Sequence, residues 1–322
     1  MQENNILVSV ICTAYNHEKY IKDALEGFAM QKTNFAFEAL VHDDASTDNT
    51  AKIILDYAEK YPHIIKPIIQ TENQHSKKIP ITNDIILPRA NGKYIAFCEG
   101  DDFWTDENKL QLQIDFLENN PEYIACVHNT TLHDCNKKKK DCLVVSNNYE
   151  HDLNFKDVIR GMQYAYQTSS LVIRKEYVSN MPDFYYTALK YGFGDLPRAI
   201  WYTIIGKVKF FPYNMSTYRF MSNPTSWTSA NNTIKKLLRN KEGVIAMLQD
   251  VKKHVSEEQQ LYLDEAILEQ EFYKFELMGC YNEIMKPEFS KFWKNETKIF
   301  RIKVYIKKLF PWLYKMLRKT KE

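Results

Sequence analysis

Acidic side chains collect at two places in the first third of the chain. Asp43 and Asp44 directly follow one apolar run, and Glu99, Asp101 and Asp102 follow another in the string FCEGDDFW. Crowded carboxylates repel one another unless a cation neutralises them. Hard divalent ions such as Mg²⁺ or Mn²⁺ prefer oxygen ligands and commonly bridge a carboxylate to substrate phosphates. An acidic pair can also simply cap a helix, but two such clusters favour a site for a metal and a diphosphate.

The elements around these clusters would bring them to one edge of a sheet. Amphipathic helices are predicted after each of the first two strands, with Ile21 and Leu25 on the buried face of the first. This alternation predicts an α/β fold with a doubly wound, mostly parallel sheet that binds ligands at the carboxyl ends of its strands. The predicted strands of this half cover residues 6–13, 37–42, 64–70 and 93–98.

The predicted secondary structure changes twice along the rest of the chain. Strands and helices are mixed up to about residue 227, with a helix predicted to start near Asp195, and from about residue 231 the pattern is helical. We therefore expect a C-terminal helical extension. The predicted strands of the middle part cover residues 123–128, 170–174, 207–211 and 216–220, and the predicted parts are 1–120, 121–227 and 228–322.

Charge is distributed unevenly along the chain. The formal net charge of +2 argues against a nucleic-acid binder, although residues 291–322 hold 11 Lys and Arg against 2 Asp and Glu. In this tail Ile299, Ile302, Ile306 and Leu309 recur at helical spacing between basic residues. The pattern favours a helix lying on an anionic membrane surface. A helix packed on its own protein and an oligomer contact are the alternatives.

The cysteines and the N-terminus indicate the compartment. Six cysteines without a regular framework spacing favour a reducing cytosol over a disulfide-stapled secreted fold. The N-terminus lacks the basic region of a signal peptide, and no stretch reaches the roughly 18 apolar residues of a membrane span. We expect a cytoplasmic protein at the inner face of the cell membrane. Cys126, His128, His133 and Cys135 fit no standard zinc spacing.

Three segments in this order carry a resemblance to a known family: VSVICTAYNHEKYI, VHDDASTDNT and NGKYIAFCEGDDFWTDENKLQLQIDFLENNPEY. They resemble the family 2 inverting glycosyltransferases of the GT-A fold, and the likeness is strongest to bacterial enzymes that build surface polysaccharides such as capsule or O-antigen. The resemblance covers residues 6–227. It implies a Rossmann-like catalytic domain that transfers a sugar from a nucleoside diphosphate, expected to be UDP, to a hydroxyl of a surface glycan or lipid-linked oligosaccharide.

The resemblance also implies roles for single residues in binding the nucleotide. Thr13, Tyr15 and Asn16 match the segment that lines the nucleotide pocket, where Tyr15 would stack on the base. Asp44 matches the residue that contacts the base edge, and Asp43 lies beside it.

Further roles concern the diphosphate and the metal. Asp101 and Asp102 match a variant DxD motif that holds Mn²⁺ or Mg²⁺, with Asp102 as the direct ligand and Asp101 at the ribose or a metal-bound water. Arg89 would contact base or phosphate, and Arg219 would contact the diphosphate.

The general base is the remaining requirement. Asp195 in YGFGDLPRAIW looks like the acid–base motif in the second half of the family, and it would take the proton of the acceptor hydroxyl. The alternative is structural, because an Asp before a helix is a common N-cap and Pro197 supports a helix start there.

Two other functions compete with sugar transfer. A nucleotidyltransferase would also use an acidic metal site, but it would carry a Gly-rich basic phosphate loop that VSVICTAYNHEKY lacks. An inactive nucleotide-sugar-binding or scaffold protein would not need the acidic residues retained at 44, 101, 102 and 195.

Overall fold

In the computed structural model, the described residues are 5–136, 140–146, 148–220 and 233–310, and they include a ten-stranded mixed sheet. The chain divides into two compact units, 1–181 with 198–230 and 182–197 with 231–322. The sheet belongs to the first unit. Its strands are β1 (Ile6–Ala14), β2 (Ala36–Asp43), β3 (Ile65–Ile69), β4 (Tyr94–Phe97), β5 (Phe103–Trp104), β6 (Tyr123–Asp134), β7 (Cys142–Leu143), β8 (His151–Leu153), β9 (Val172–Arg174) and β10 (Lys207–Phe220).

In the first unit, helices pack against the sheet. The second unit consists of helices. Helix α6 begins in the second unit and continues into the first. The helices are α1 (Ile21–Ala29), α2 (Thr50–Lys60), α3 (Lys109–Asn119), α4 (Phe155–Gly161), α5 (Asp183–Tyr191), α6 (Asp195–Ile205), α7 (Ile234–Val251), α8 (Glu257–Met278), α9 (Ser290–Asn295) and α10 (Lys298–Leu309).

The parallel part of the sheet consists of four strands in the order β3-β2-β1-β4. The apolar run of β1 is buried on both faces, as expected for a central parallel strand. One face packs on α1 and α2, where Leu25, Phe28 and Ile54 are completely buried. The pairing Ala14 to Asp43 sets the ends of β1 and β2 side by side. The predicted α/β fold with a C-terminal helical region is confirmed, and the strand ends meet as the sequence indicated.

Strand β10 differs from the sequence prediction. Residues 207–211 and 216–220 were expected to form two strands, but one strand runs through both and pairs in parallel with β6. Pro212 lacks a backbone donor, and the register shifts on either side of Asn214 absorb this irregularity. Past the shifts, Ser216 pairs with Trp104 of β5. The far end of β10 therefore lies beside the acidic string that follows β4.

Short irregular helices follow β3. They comprise a 3₁₀ turn (His75–Lys77), a π-helical turn (Ile81–Ile86) and a second 3₁₀ turn (Leu87–Arg89). The π-helical turn packs against β1, and Ile86 and Leu87 are buried.

The second unit is helical. Helix α8 begins with a capping box between Ser256 and Gln259 and ends at Gly279, which has a φ of 77°. An aromatic cluster around the completely buried Phe272 joins α8 to α9 and α10. Within the described residues, no helix is long and apolar enough to cross a membrane.

Candidate active site

The carboxyl end of β1 lies between the two acidic strings. The backbone N–H of Asp44 donates to the carbonyl of Ala14 at 2.9 Å, and the N–H of Gly100 donates to the carbonyl of Thr13 at 2.9 Å. A side chain at position 100 would be crowded, because its Cβ would lie 3.0 Å from the Cβ of Ala14 and 2.9 Å from the Cδ1 of Ile21, so these neighbours would have to shift. The predicted convergence of Thr13, Asp44 and the FCEGDDFW string is therefore present at the edge of the sheet where ligands bind in doubly wound folds.

Asp43 and Asn16 join the loops after β1 and β2. The carboxylate of Asp43 accepts the N–H of Ser46 at 3.0 Å, and the hydroxyl of Ser46 accepts the N–H of Asn16 at 2.9 Å. Asn16 has a φ of 56°, in the left-handed region that Asn tolerates better than most residues. Its side-chain oxygen accepts the N–H of Thr47 at 2.8 Å. Both side chains thus hold these two loops together.

Asp44 fixes the segment that follows β3. Its carboxylate accepts the backbone N–H of Gln74 at 2.7 Å and that of His75 at 3.1 Å, and the residue is 3% exposed. Each carboxylate oxygen can accept more than one hydrogen bond. The side chain therefore retains acceptor capacity beyond these two backbone donors.

Asp102 is a buried carboxylate beside two others. It is 4% exposed, and its Oδ1 accepts the backbone N–H of Arg219 at 2.9 Å. Burial raises the pKa of Asp102 well above its usual range, and the charges of Asp101 and Glu99 raise it further. Asp101 is more open, with 18% of its side chain exposed.

Arg219 holds the acidic loop from the end of β10. Its guanidinium donates to the carbonyl of Asp101 at 2.9 Å and pairs with the carboxylate of Asp23 on α1. It lies 4.3 Å from the ring centroid of Phe103 and 5.1 Å from that of Tyr20, a cation–π arrangement on both rings. The residue expected to contact diphosphate is thus bonded to the loop that carries the acidic pair.

His17 belongs to the site although the sequence gave no chemical reason to include it. Its Nε2 lies 3.9 Å from Oδ2 of Asp101, and Gly100 lies beside its ring. Its buried Nδ1 has no hydrogen-bond partner among the described residues. The only sequence signal was its position directly after the Tyr15–Asn16 segment.

His42 is a second histidine that sequence reasoning set aside. It lies on β2 next to Thr13 of β1 and is completely buried, and within the described structure neither ring nitrogen has a hydrogen-bond partner. Burial lowers the pKa of His42, and the charge of Arg89 lowers it further, against the opposing effect of Asp44. Arg89 itself is exposed and donates to the carbonyl of Ile85 in the preceding π-helical turn.

The remaining predicted residues lie as follows. Tyr15 is half-buried in the loop after β1. Asp195 is exposed and is the first residue of α6, so the predicted helix start is confirmed. Asp195 belongs to the second compact unit, whereas the acidic strings belong to the first.

The carboxylates of Asp101 and Asp102 suit a divalent metal ion that also binds the phosphates of a substrate. No group of three or more His, Cys, Asp or Glu side chains in the described ranges could hold a metal ion alone. Mg²⁺ in phosphate-handling enzymes is commonly held by one or two carboxylates, and substrate phosphates and water complete its shell. Asp101 and the buried Asp102, whose pKa is raised by burial and by neighbouring negative charge, are a donor set of that kind.

Comparison with known proteins establishes the family. Residues 9–176 match the model of glycosyl transferase family 2. An uncharacterized protein of Mycobacterium tuberculosis is 31% identical over 250 residues, which cover 75% of this chain and 67% of that protein. The chain belongs to glycosyl transferase family 2.

Two further proteins are similar to this chain, one in sequence and one in fold. WfgD of Escherichia coli, named a UDP-Glc:alpha-D-GlcNAc-diphosphoundecaprenol beta-1,3-glucosyltransferase, is 31% identical over 38% of this chain and 45% of its own length. The mannosyltransferase PcManGT of Pyrobaculum calidifontis, solved with GDP-Man and Mn²⁺, superposes with a TM-score of 0.56 at 14% identity, covering 93% of this chain and 83% of that one. This likeness supports the GT-A-like fold.

Proposed function

We propose that this chain is an inverting glycosyltransferase that moves a sugar from a UDP-linked donor to a hydroxyl of a surface glycan or lipid-linked oligosaccharide. The observation that carries the proposal is the meeting of Thr13, Asp44 and the Asp101–Asp102 pair at adjoining strand ends. Family membership favours sugar transfer over nucleotidyl transfer. Retained acidic residues favour a working enzyme over an inactive binding protein.

The donor would lie across the end of β1. On this proposal Tyr15 stacks on the base, and the spare acceptor capacity of Asp44 contacts the base edge. The diphosphate would lie toward Asp101 and Asp102, and Arg219 would keep that loop in place through its existing bonds. UDP is the proposed nucleotide because WfgD carries UDP-Glc in its name.

The proposed reaction is a direct displacement. The acceptor hydroxyl oxygen attacks the anomeric carbon on the face opposite the diphosphate, the bond from that carbon to the diphosphate oxygen breaks, and the configuration inverts. Asp195 takes the hydroxyl proton as general base. A Mn²⁺ or Mg²⁺ ion held by Asp101 and Asp102 would stabilise the negative charge on the departing diphosphate.

The acceptor and the compartment are inferred from more general features. WfgD is named for an acceptor on diphosphoundecaprenol, so we propose a lipid-linked or surface-glycan acceptor here. All six cysteines are free, three of them buried, and free buried thiols are typical of reducing compartments. We therefore place the reaction in the cytoplasm.

The metal assignment is tested by replacing Asp102 with asparagine. Asp102→Asn keeps the side-chain shape and the acceptor for the Arg219 N–H, but it removes the charge. Calorimetric titration should show Mn²⁺-dependent UDP binding in the wild type and at least tenfold weaker binding in the variant, about 1.4 kcal/mol. Asp115→Asn, at an exposed position on α3, is the control and should bind like wild type. Equal Mn²⁺-dependent affinity in Asp102→Asn would refute the assignment.

A further inference from the structure

Helix α10 has apolar side chains on two opposite faces. The inner face places Phe300 and Val304 against the aromatic cluster of the second unit, and Val304 is 1% exposed. On the outer face Ile299 is 66% exposed, Ile302 57% and Leu309 62%. A helix that only packs on its own protein normally turns polar side chains outward. This helix turns its largest aliphatic residues to solvent.

The outward residues form one continuous stripe. Ile299, Ile302, Ile306 and Leu309 follow each other at intervals of three and four residues, which places them on the same side of a helix. Tyr305, 47% exposed, borders the stripe. Ile306 is half-buried and the other three residues of the stripe are exposed, and a group of exposed apolar side chains of this kind marks an interaction site.

The charges beside the stripe have one sign. Helix α10 contains Lys298, Arg301, Lys303, Lys307 and Lys308 and no acidic residue. Lys307 is engaged with Glu276 of α8 at 2.9 Å, whereas Lys298 and Lys303 are exposed at the edges of the stripe. The partner of this face must therefore be apolar within and negatively charged at its surface.

We propose that the outer face of α10 is a docking surface for an anionic lipid membrane. An apolar stripe flanked by Lys and Arg is the arrangement with which a helix lies in the plane of an anionic bilayer, with aliphatic side chains below the headgroups. A second copy of the chain would bring like charges together, which opposes self-association through this face. The surface consists of second-unit residues only, so it stands independently of the proposed donor site.

Vesicle sedimentation tests the surface directly. The full-length protein should sediment with phosphatidylglycerol-containing vesicles at low salt and remain in solution with pure phosphatidylcholine vesicles. The double variant Ile302→Glu with Leu309→Glu should bind the anionic vesicles at least tenfold more weakly. The matched control is Leu261→Glu on α8, because Leu261 is also highly exposed, at 67%, and this variant should bind like wild type.

Three results would overturn the proposal. They are a wild type that ignores anionic vesicles, a double variant that binds as well as wild type, and a wild-type dimer in light scattering that the double variant abolishes. The last would identify the face as a contact between copies. Circular dichroism establishes that the variants fold. Donor hydrolysis measured without vesicles should be equal in wild type and double variant, which separates a failure of docking from a failure of the proposed sugar transfer.

Discussion

Arg219 shows how much of the site depends on contacts that are remote in sequence. It bonds the acidic loop twice, through its backbone N–H to Asp102 and through its guanidinium to the carbonyl of Asp101. Its third partner, Asp23, lies 196 residues away along the chain. Residue type and spacing indicated that the acidic strings converge, but they carried no information on which side chain would hold the Asp101–Asp102 loop in place.

Two histidines make the same point. His17 and His42 each follow or precede a motif residue, and neither is required by the chemistry of sugar transfer. Each has a buried ring nitrogen without a hydrogen-bond partner in the described part of the chain. A buried polar group that stays unpaired destabilises the folded state by about 1–3 kcal/mol. Burial of that kind depends on packing, which single-sequence reasoning does not resolve.

Replacing Asp195 separates catalysis from donor binding. Asp195→Asn should leave UDP affinity unchanged and lower turnover about 10²–10⁴-fold, because it removes the proposed proton acceptor and keeps the side-chain shape. Calorimetry and release of UDP from the donor in the presence of acceptor measure the two quantities.

A matched control exists for this substitution. Asp183 is also the exposed first residue of a helix in the second unit, so Asp183→Asn reports the effect of losing a carboxylate at a helix start. It should retain turnover. Turnover of Asp195→Asn within a few-fold of wild type would leave Asp195 with only the structural role.

At the scale of elements, the strands that carry the site were the most predictable. The run at 6–13 is nearly continuous in apolar residues and becomes β1, and the runs at 37–42 and 93–98 become β2 and β4. The irregular helices between residues 75 and 89 have no comparable periodicity. They are stabilised by tertiary contacts, including the hydrogen bonds that two backbone N–H groups donate to the carboxylate of Asp44.

Helix α3 contributes a buried lysine below the acidic loop. Lys109 is completely buried, donates to Gln113 at 2.7 Å and lies 4.1 Å from the ring centroid of Trp104. Burial lowers the pKa of Lys109 to about 7, against the opposing effect of the Cys126 and Cys98 thiols. In the unfolded chain the pKa would be about 10.4. At pH values between these two pKa values, Lys109 keeps its proton in the unfolded state but has lost it in the folded state. The free energy of unfolding should therefore rise with pH.

Urea unfolding at pH 7 and pH 9 measures this effect. The free energy of unfolding of wild type should rise by about 2 kcal/mol relative to that of Lys109→Met over this interval, because the variant has no proton to lose. The difference between the two proteins cancels the titration of the cysteines. The exposed Lys52→Met on α2 should parallel wild type. Parallel profiles for wild type and Lys109→Met would contradict the burial of a titrating lysine.

At the scale of the whole molecule, the small net charge of +2 conceals opposite charges along the chain. Residues 1–290 carry the acidic strings that would hold the metal and the donor, whereas residues 291–322 hold 11 Lys and Arg against 2 Asp and Glu. The described part of that tail, residues 291–310, contains most of α9 and all of α10, and residues 311–322, with Trp312 and Tyr314, lie outside the described structure. The predicted boundary at 227 also lies outside it.

Metal-dependent donor turnover tests the central claim most directly. UDP-, GDP- and dTDP-sugars would each be incubated with wild type and Asp102→Asn, with Mn²⁺ or with EDTA, and release of the nucleoside diphosphate would be followed. At least one donor, expected to be a UDP-sugar, should be turned over by wild type only with Mn²⁺, and Asp102→Asn should lose at least tenfold of that rate. No turnover of any donor, or the same rate in EDTA or in Asp102→Asn, would contradict the account.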